Sequence, residues 1–393
     1  MNEHSIANGS VVPGPDGIGF KTYASQFLYG AAAFSAILFI PNYASHALKA
    51  TDLQVGLIVF AYAACGFFSS IIFGRLADVR GRRIVLAFGF ALASVASLLQ
   101  VLPSDPWTLL ASRALTGTAA GMIPAALLAV AWETRRRMGR FAAMGSLGWG
   151  IGAILAGIVT SIPSSESAGV RAAFGLSAFF FAAAFFVVLG MKLPPHTSIP
   201  LPLFPVEVVR RNLSVYLTLL LRHIGANMIW VIFPVYLEDA LGLSKGQIGV
   251  IYLVNTFVQF VVMGLLDPLR GESLLLAGLG FSAVTFYSFT LARNFWEMLP
   301  TQVLLGISWS CVYVGSLKIV MERNEERATA AGFLGSVINL SQAFGPLLGG
   351  FIAFHLGRKA VMLVAAAMAL ADLLLYGVRA LVRRTRPLPS ARP

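Results

Sequence analysis

Apolar runs of about twenty residues recur along nearly the whole chain, separated by short connections that carry most of its charge. A run of that length is what an α-helix needs to cross a hydrocarbon layer of about 30 Å at about 1.5 Å per residue. No water in such a layer satisfies backbone N–H and C=O groups, so a helix, which pairs its own, is the natural spanning form. The runs fall at 21–47, 53–75, 84–103, 106–132, 141–162 and 170–191, then at 213–239, 246–266, 272–292, 296–321, 329–355 and 358–382. Composition agrees: 57% of residues are hydrophobic and 12% charged, roughly half the charged share of a soluble domain. The expected fold class is an all-α polytopic membrane protein of twelve transmembrane helices.

The Pro-rich stretch from Pro194 to Pro205 cannot be one unbroken helix and splits the runs six and six. The expected organisation is a tail over 1–20, a six-helix bundle over 21–191, a linker over 192–212, a second six-helix bundle over 213–382 and a basic tail over 383–393. Lysine and arginine set the orientation. With a cytoplasmic N-terminus the inner segments hold twenty of them, the outer loops hold six (Lys49, Arg171, Lys245, Arg293, Arg358 and Lys359), and Arg113, Arg222 and Lys318 lie within spans. Both termini are therefore expected inside, in the plasma membrane. The first twenty residues lack the basic start, apolar centre and cleavage site of a signal peptide, so the first span is expected to be retained.

The net charge of +12 does not indicate nucleic acid, because the basic residues cluster in inter-helix connections and no basic–aromatic face accompanies them. Cys65 and Cys311 stand alone in apolar runs and read as small core residues. Neither a metal cluster nor a nucleophile–base grouping nor a phosphate-binding loop is recognisable, so no metal or cofactor is expected and an enzyme or receptor is disfavoured.

Two connections echo one another at equivalent places in the halves: "GRLADVRGRR" (Gly74 to Arg83) after the second run, and the weaker "MGLLDPLRGES" after the eighth. Likewise "GWGIGAILAG" in the fifth span lies where the eleventh has "SQAFGPLLGG". Such repeats place a ligand site near midplane, where the halves meet. The first connection matches G-x-L-a-D-r-x-G-R-[RK] through Gly74, Leu76, Asp78, Gly81, Arg82 and Arg83, with Val79 in place of a usual basic residue. Arg113, Gly117 and Gly121 supply R-x-x-x-G in span four. On these motifs the chain resembles the major facilitator superfamily of secondary transporters over essentially its whole length, and in size and span number its drug/proton antiporter branches. The antiporter-associated G-P-x-x-G-G is degraded in span five, where Ala153 and Ala156 interrupt it, and intact in span eleven from Gly345 to Gly350.

In the resembled family the first motif forms an inner latch, and the residues support that reading. Asp78 would accept hydrogen bonds from the start of span eleven, where a helix N-terminus attracts negative charge. Arg82 or Arg83 would meet Glu133, and Glu133 and Arg140 match a further family pattern. Gly74 and Gly81 would permit close packing and a sharp turn. The arginines would equally serve to anchor topology.

Intramembrane charge is costly and marks pathways. Arg113, Arg222 and Lys318 fall in spans four, seven and ten, which the resemblance assigns, with span one, to the cavity lining. With no carboxylate in span one, they would favour an anionic ligand. Each would otherwise serve in a structural ion pair or bond backbone carbonyls, and Lys318 lies near enough to the inner end to snorkel. Polar stripes at helical spacing join them: Tyr216, His223, Asn227 and Trp230 in span seven, and Gln302, Gly306, Trp309 and Tyr313 in span ten. These suit either a partly apolar ligand or helix packing. His223 would carry a proton or stay neutral and bonded, and the role of Asp372 in span twelve is open. Gly148, Gly152, Gly345, Pro346 and Gly349 are expected at the bundle interface, with Pro346 bending span eleven.

The function expected is alternating-access transport of a small organic solute, first as proton-coupled efflux of amphiphilic compounds. Uptake or exchange of an organic anion, or passive facilitation, is the alternative. Partners are the lipid bilayer and the solute, and the chain is expected to act as a monomer.

Overall fold

The computed structural model describes residues 17–37, 39–193, 198–202 and 204–385. Most of the expected N-terminal tail, the prolines at 194 and 195, and the basic end of the chain from 386 lie outside the described residues. Twelve helices of eighteen residues or more follow one another: α1 (Gly17–Ile37), α2 (Asp52–Arg80), α3 (Arg82–Leu99), α4 (Pro106–Arg135), α5 (Met138–Ser161), α6 (Glu166–Leu189), α7 (Val206–Asp239), α8 (Lys245–Leu265), α9 (Gly271–Ser288), α10 (Phe295–Arg323), α11 (Arg327–Leu356) and α12 (Arg358–Thr385). There is no strand among the described residues. Ten of the helices are long and apolar enough to cross a membrane. The other two are diluted by polar side chains: Lys21, Gln26 and two tyrosines in α1, and Glu272 with several serines in α9.

Two boundaries differ from the sequence reading. The first run does not continue as one helix to residue 47: α1 stops at Ile37, and a short helix Ile40–Asn42 and a π-helical turn Tyr43–Ala47 follow. Pro41, lacking an N–H and crowding the turn before it, sits in the first turn of that short piece. Helix α7 begins earlier than expected, at Val206 inside the predicted linker, directly after the last proline of the cluster.

The helix starts fall into two groups. At one end of the molecule α2, α4, α6, α8 and α10 carry their own N-caps: Thr51, Asp105, Ser165, Ser244 and Asn294 each accept from a backbone N–H of the first turn. Thr51 with Gln54 and Ser244 with Gln247 complete capping boxes. The Thr108 hydroxyl, with the Thr108 and Trp107 N–H groups, holds the Asp105 carboxyl below its usual pKa. At the other end, rich in arginine, the residues preceding α5 and α11 (Arg137 and Glu326) make no side-chain cap. Those two helix starts obtain their acceptors elsewhere.

Packing repeats with an offset of six helices. Helix α1 lies on α5 and α6, α2 on α4, and α3 on α4 and α6; correspondingly α7 lies on α11 and α12, α8 on α10, and α9 on α10 and α12. The two sets of six meet mainly where α2 packs on α11 and α5 packs on α8, with further contact between α4 and α11.

The glycines assigned to the bundle interface are placed otherwise. A Cβ on Gly148 or Gly152 would strike the α1 backbone at Phe27 and Ala31, and one on Gly345 or Gly349 would strike α7 at Asn227 and Met228. These close approaches lie inside each set of six, because α5 and α11 each turn one face to their own neighbour and another across the molecule. The glycines that let the two sets touch include Gly74, whose added Cβ would sit 2.7 Å from the Ala328 carbonyl, Gly332 against Ser70, and Gly139 against Met263. Pro346 lies within α11, which continues through it to Leu356.

Candidate functional site: a closed end and an aromatic hollow

The α11 start receives its acceptor from the other set of six. Asp78, fully buried at the end of α2, accepts from the Ala328 N–H (3.3 Å) on Oδ1 and from the Thr329 N–H (2.7 Å) and hydroxyl (2.8 Å) on Oδ2. The α5 start is served in the mirrored way: Asp267, just past α8, accepts from the Gly139 N–H (2.7 Å) and the Arg140 N–H (3.4 Å). Each carboxylate meets a helix N-terminus, where unpaired N–H groups and the helix dipole favour negative charge. Hydrogen bonds to an ionised acceptor contribute about 1.5–3 kcal/mol each.

Around Asp78 the arginines divide their work. Arg82 bridges Asp78 (3.4 Å) and Glu133, so of the two candidates it is Arg82 that meets Glu133. Arg327, at the start of α11, reaches Glu133 from the other side at 3.5 Å. Arg83 instead donates to the Leu189 carbonyl at 2.9 Å, and Lys21 to the Gly190 carbonyl at 2.6 Å, so two cations finish the C-terminus of α6. Arg140 pairs with Asp267 at 3.9 Å rather than with Glu133. Gly81 breaks α2 from α3 with φ +109, a conformation that favours glycine, and so swings Arg82 and Arg83 to opposite tasks. The linker also docks here: Arg75 donates to the Leu201 and Pro202 carbonyls (2.7 and 2.8 Å), and Ile199 N–H to the Asp78 carbonyl (3.1 Å).

Hydrogen bonds joining helices of the two sets, among the described residues, run from Asp78 up to Phe67 on α2 and from Gly139 up to Ser146 on α5, with Arg327 to Glu133 joining α11 to α4. Both stretches start at the arginine-rich end, and the α2 stretch reaches the middle of its helix. That end is closed.

Beyond the closure lies a ring of aromatic side chains. Tyr29, Tyr62, His223 and Tyr313 are deep among neighbouring atoms yet keep part of their surface open to solvent, as residues lining an internal hollow do. Tyr29 on α1 lies near Tyr62 on α2 and Tyr313 on α10. His223 stacks on Trp309 (4.8 Å, 20°) and Trp309 on Tyr313 (5.0 Å, 17°). Two guanidiniums flank the ring. Arg113 lies 4.1 Å over Tyr62 and donates to Gln100 at 3.4 Å; Arg222 lies 5.2 Å over Trp309 and donates to Ser282 and Ser308.

The other candidates are dispersed. Tyr216 donates to the Ala330 carbonyl at 2.9 Å, near the closure. Asn227 donates to the His223 carbonyl and Trp230 meets Tyr252 edge-on at 4.9 Å. Gln302 is fully buried, with neither amide atom hydrogen-bonded. Lys318 donates to the Asp267 and Leu269 carbonyls, so it holds the α8–α9 turn at the closed end. Asp372 is buried between α12 and α7, accepting from Thr218 at 3.0 Å.

A family model described as Major Facilitator Superfamily matches residues 22–221 and again 215–393. The chain belongs to the major facilitator superfamily. Among curated superfamily relatives, the multidrug resistance protein MdtG of Escherichia fergusonii is 24% identical over 383 residues, covering 92% of this chain and 93% of the relative. MdtG of Enterobacter lignolyticus is 25% identical over 388 residues, covering 93% and 92%. Among solved structures, the human organic anion transporter MFSD10 (TETRAN) superposes with a TM-score of 0.74 at 16% identity, over 92% of this chain and 99% of that one. At that identity the likeness concerns the fold alone. The chain is thus a membrane transporter of this superfamily.

Within this superfamily fold the sequence reading passed over several residues. Asp267 was visible only as part of the weaker echo, because its connection carries one arginine, Arg270, where the first carries four. Tyr29, Tyr62, Ser282 and Ser308 carry no local pattern and are recognised only through the helices they face.

Proposed function

We propose that the chain is a twelve-span secondary transporter exporting amphiphilic compounds across the cytoplasmic membrane in exchange for protons, with both termini and the arginine-rich end cytoplasmic. The observation that carries the reading is the pair of carboxylate caps, Asp78 on α11 and Asp267 on α5, which close one end below an aromatic hollow. Bonds to helix ends are directional yet replaceable by water, so such a closure can open and re-form in each cycle. The bundles 21–191 and 213–382 would rock about the α2–α11 and α5–α8 contacts, presenting the hollow to each face in turn. A hollow lined by both halves of one chain suits a monomer.

Helices α1 and α9 complete the twelve spans in this reading: although polar, each packs on two helices that are themselves candidate spans. The excess of lysine and arginine at the closed end supports its cytoplasmic placement. Efflux is supported by the multidrug relatives and by rings that suit loosely held apolar solutes. For proton exchange the chain offers His223 at the hollow and Asp372, which with Asp78 makes up the buried carboxylates among the described residues. No cofactor is required.

Purified protein in ATP-free liposomes, loaded with a fluorescent amphiphile and given an imposed pH gradient, tests the reading. Gradient-driven movement that collapses with a protonophore is expected, and is lost in Asp372→Asn or His223→Gln. Flux indifferent to the gradient would overturn the coupling, and no flux would overturn transport of amphiphiles.

A further inference from the structure

Arg222 stands about halfway along α7 and is 2% exposed, the largest fully buried side chain among the described residues. Nε donates to Ser282 Oγ at 2.9 Å and Nη2 to Ser308 Oγ at 3.1 Å. Those hydroxyls turn their protons elsewhere: Ser282 donates to the Gly278 carbonyl at 2.8 Å, and Ser308 has that carbonyl and Ser282 within reach. Both serines therefore present lone pairs to the guanidinium without neutralising it. No carboxylate pairs with Arg222 among the described residues, and Nη1 has no acceptor there. The buried Asp372 accepts from Thr218 on Oδ1 and leaves Oδ2 unpartnered, and it forms no ion pair with Arg222.

A buried, uncompensated cation is expensive unless a countercharge arrives. The surroundings state what kind. Trp309 and Phe286 lie 5.2 and 5.4 Å from the guanidinium carbon. Trp309 continues into the stack with His223 and Tyr313. Nδ1 of His223, one residue from Arg222, is buried without a hydrogen-bond partner, so a second polar atom beside the arginine is unanswered. Across the aromatic ring Arg113 is likewise without a carboxylate, and its Nε is unpartnered. The hollow therefore carries two positive charges, a run of flat rings, and no acidic group among the described residues.

We propose that Arg222, with His223 and Trp309, forms a subsite for an organic monoanion in which a carboxylate or sulfonate is attached to a flat aromatic body. This rests on the transporter reading above and narrows its solute from amphiphilic compounds in general to anionic ones. The acid group would meet Nη1 of Arg222, and the His223 ring nitrogen would face a polar atom of the solute. The flat body would lie along Trp309 and Tyr313. A cationic amphiphile would add a third positive charge to an enclosed region and be disfavoured.

Equilibrium binding to the purified full chain in nanodiscs tests this with three isosteric probes: naphthalene-2-carboxylate, naphthalene-2-carboxamide and naphthalen-2-ylmethylammonium. The carboxylate is expected to bind at least about tenfold more tightly than the amide, with the ammonium weakest, as one good charge-assisted pair would give. Arg222→Gln should erase the carboxylate's advantage over the amide, and Arg222→Lys should retain part of it. Equal affinity of carboxylate and amide for the unmodified protein overturns the proposal whether or not any variant folds. Competition of chloride with the carboxylate, lost in Arg222→Gln, would mark an inorganic-anion site and overturn the organic assignment. Because binding is read without flux, carboxylate preference with no gradient-driven movement would sink the transport reading and leave the subsite standing. Flux of neutral and anionic probes at equal rates, with equal affinities, would do the reverse.

Discussion

Asp267 stands to Gly139 as Asp78 stands to Thr329: each carboxylate accepts a backbone N–H at 2.7 Å from the start of a helix in the other half of the molecule. The two arrangements are six helices apart on both sides of the bond. They make the closed end a pair of helix caps lent across the interface, whereas the helix starts at the opposite end are capped by their own neighbours in sequence. Opening of the arginine-rich end, as proposed, would remove those lent acceptors.

Both oxygens of Asp78 are in use, so asparagine cannot replace it: one side would present an NH2 to backbone donors. Asp78→Asn should shift the closure equilibrium by about 1–3 kcal/mol, about 5- to 150-fold toward opening. Transport in liposomes should fall by at least the lower figure, with solute affinity little changed. An unaltered rate would remove Asp78 from the cycle.

Asp267→Asn should act in the same direction and more weakly, because its side chain is 17% exposed against none for Asp78, and water can replace part of what is lost. Both substitutions load the same closure, so their effects on the open fraction should add as free energies in the double variant. Opposite signs for the two single variants would show that the caps are not equivalent.

Glycines at two kinds of contact should separate by readout. Gly332→Val drives a side chain into Ser70 and Gly74 across the interface, and should hold the arginine-rich end open while detergent stability is kept. Gly152→Val strikes Ala31 within one half and should lower the melting temperature, with overpacking of this kind costing about 1–3 kcal/mol. The pair is checked by thermal unfolding beside cysteine accessibility at the closed end.

Lys318→Met leaves the Asp267 and Leu269 carbonyls without their donor. The expected loss is in stability, about 1–3 kcal/mol for the unsatisfied acceptors, with the preference between anionic and neutral solutes unchanged. A changed preference would return Lys318 to the solute path.

The helices and the Asp78 contact were legible in the sequence because each rests on a local signal. Apolar length identifies helices without reference to what they touch, although Pro41 ended α1 early and the prolines around 205 ended sooner than the reading allowed. Asp78 was recognisable because its motif is contiguous from Gly74 to Arg83. The hollow was only half legible. Arg222, His223, Trp309 and Tyr313 stand out on single helices, but Ser282, Ser308, Tyr29 and Tyr62 matter through which helix faces which, a tertiary fact with no local trace. Glycines showed the same limit: their spacing signals close packing, and only the assembled helices show that Gly148 and Gly345 pack within a half while Gly74 and Gly332 pack between halves.

The central claim is that the arginine-rich end opens and re-closes about the two lent caps. Spin labels at Arg80→Cys and Glu325→Cys, both exposed beside the Asp78–Thr329 contact, report it directly by electron–electron distance in a background lacking Cys65 and Cys311. Two distance populations are predicted, one matching the closed structure and one longer, with Asp78→Asn moving weight to the longer. A single distribution, the same with and without Asp78, would contradict the account.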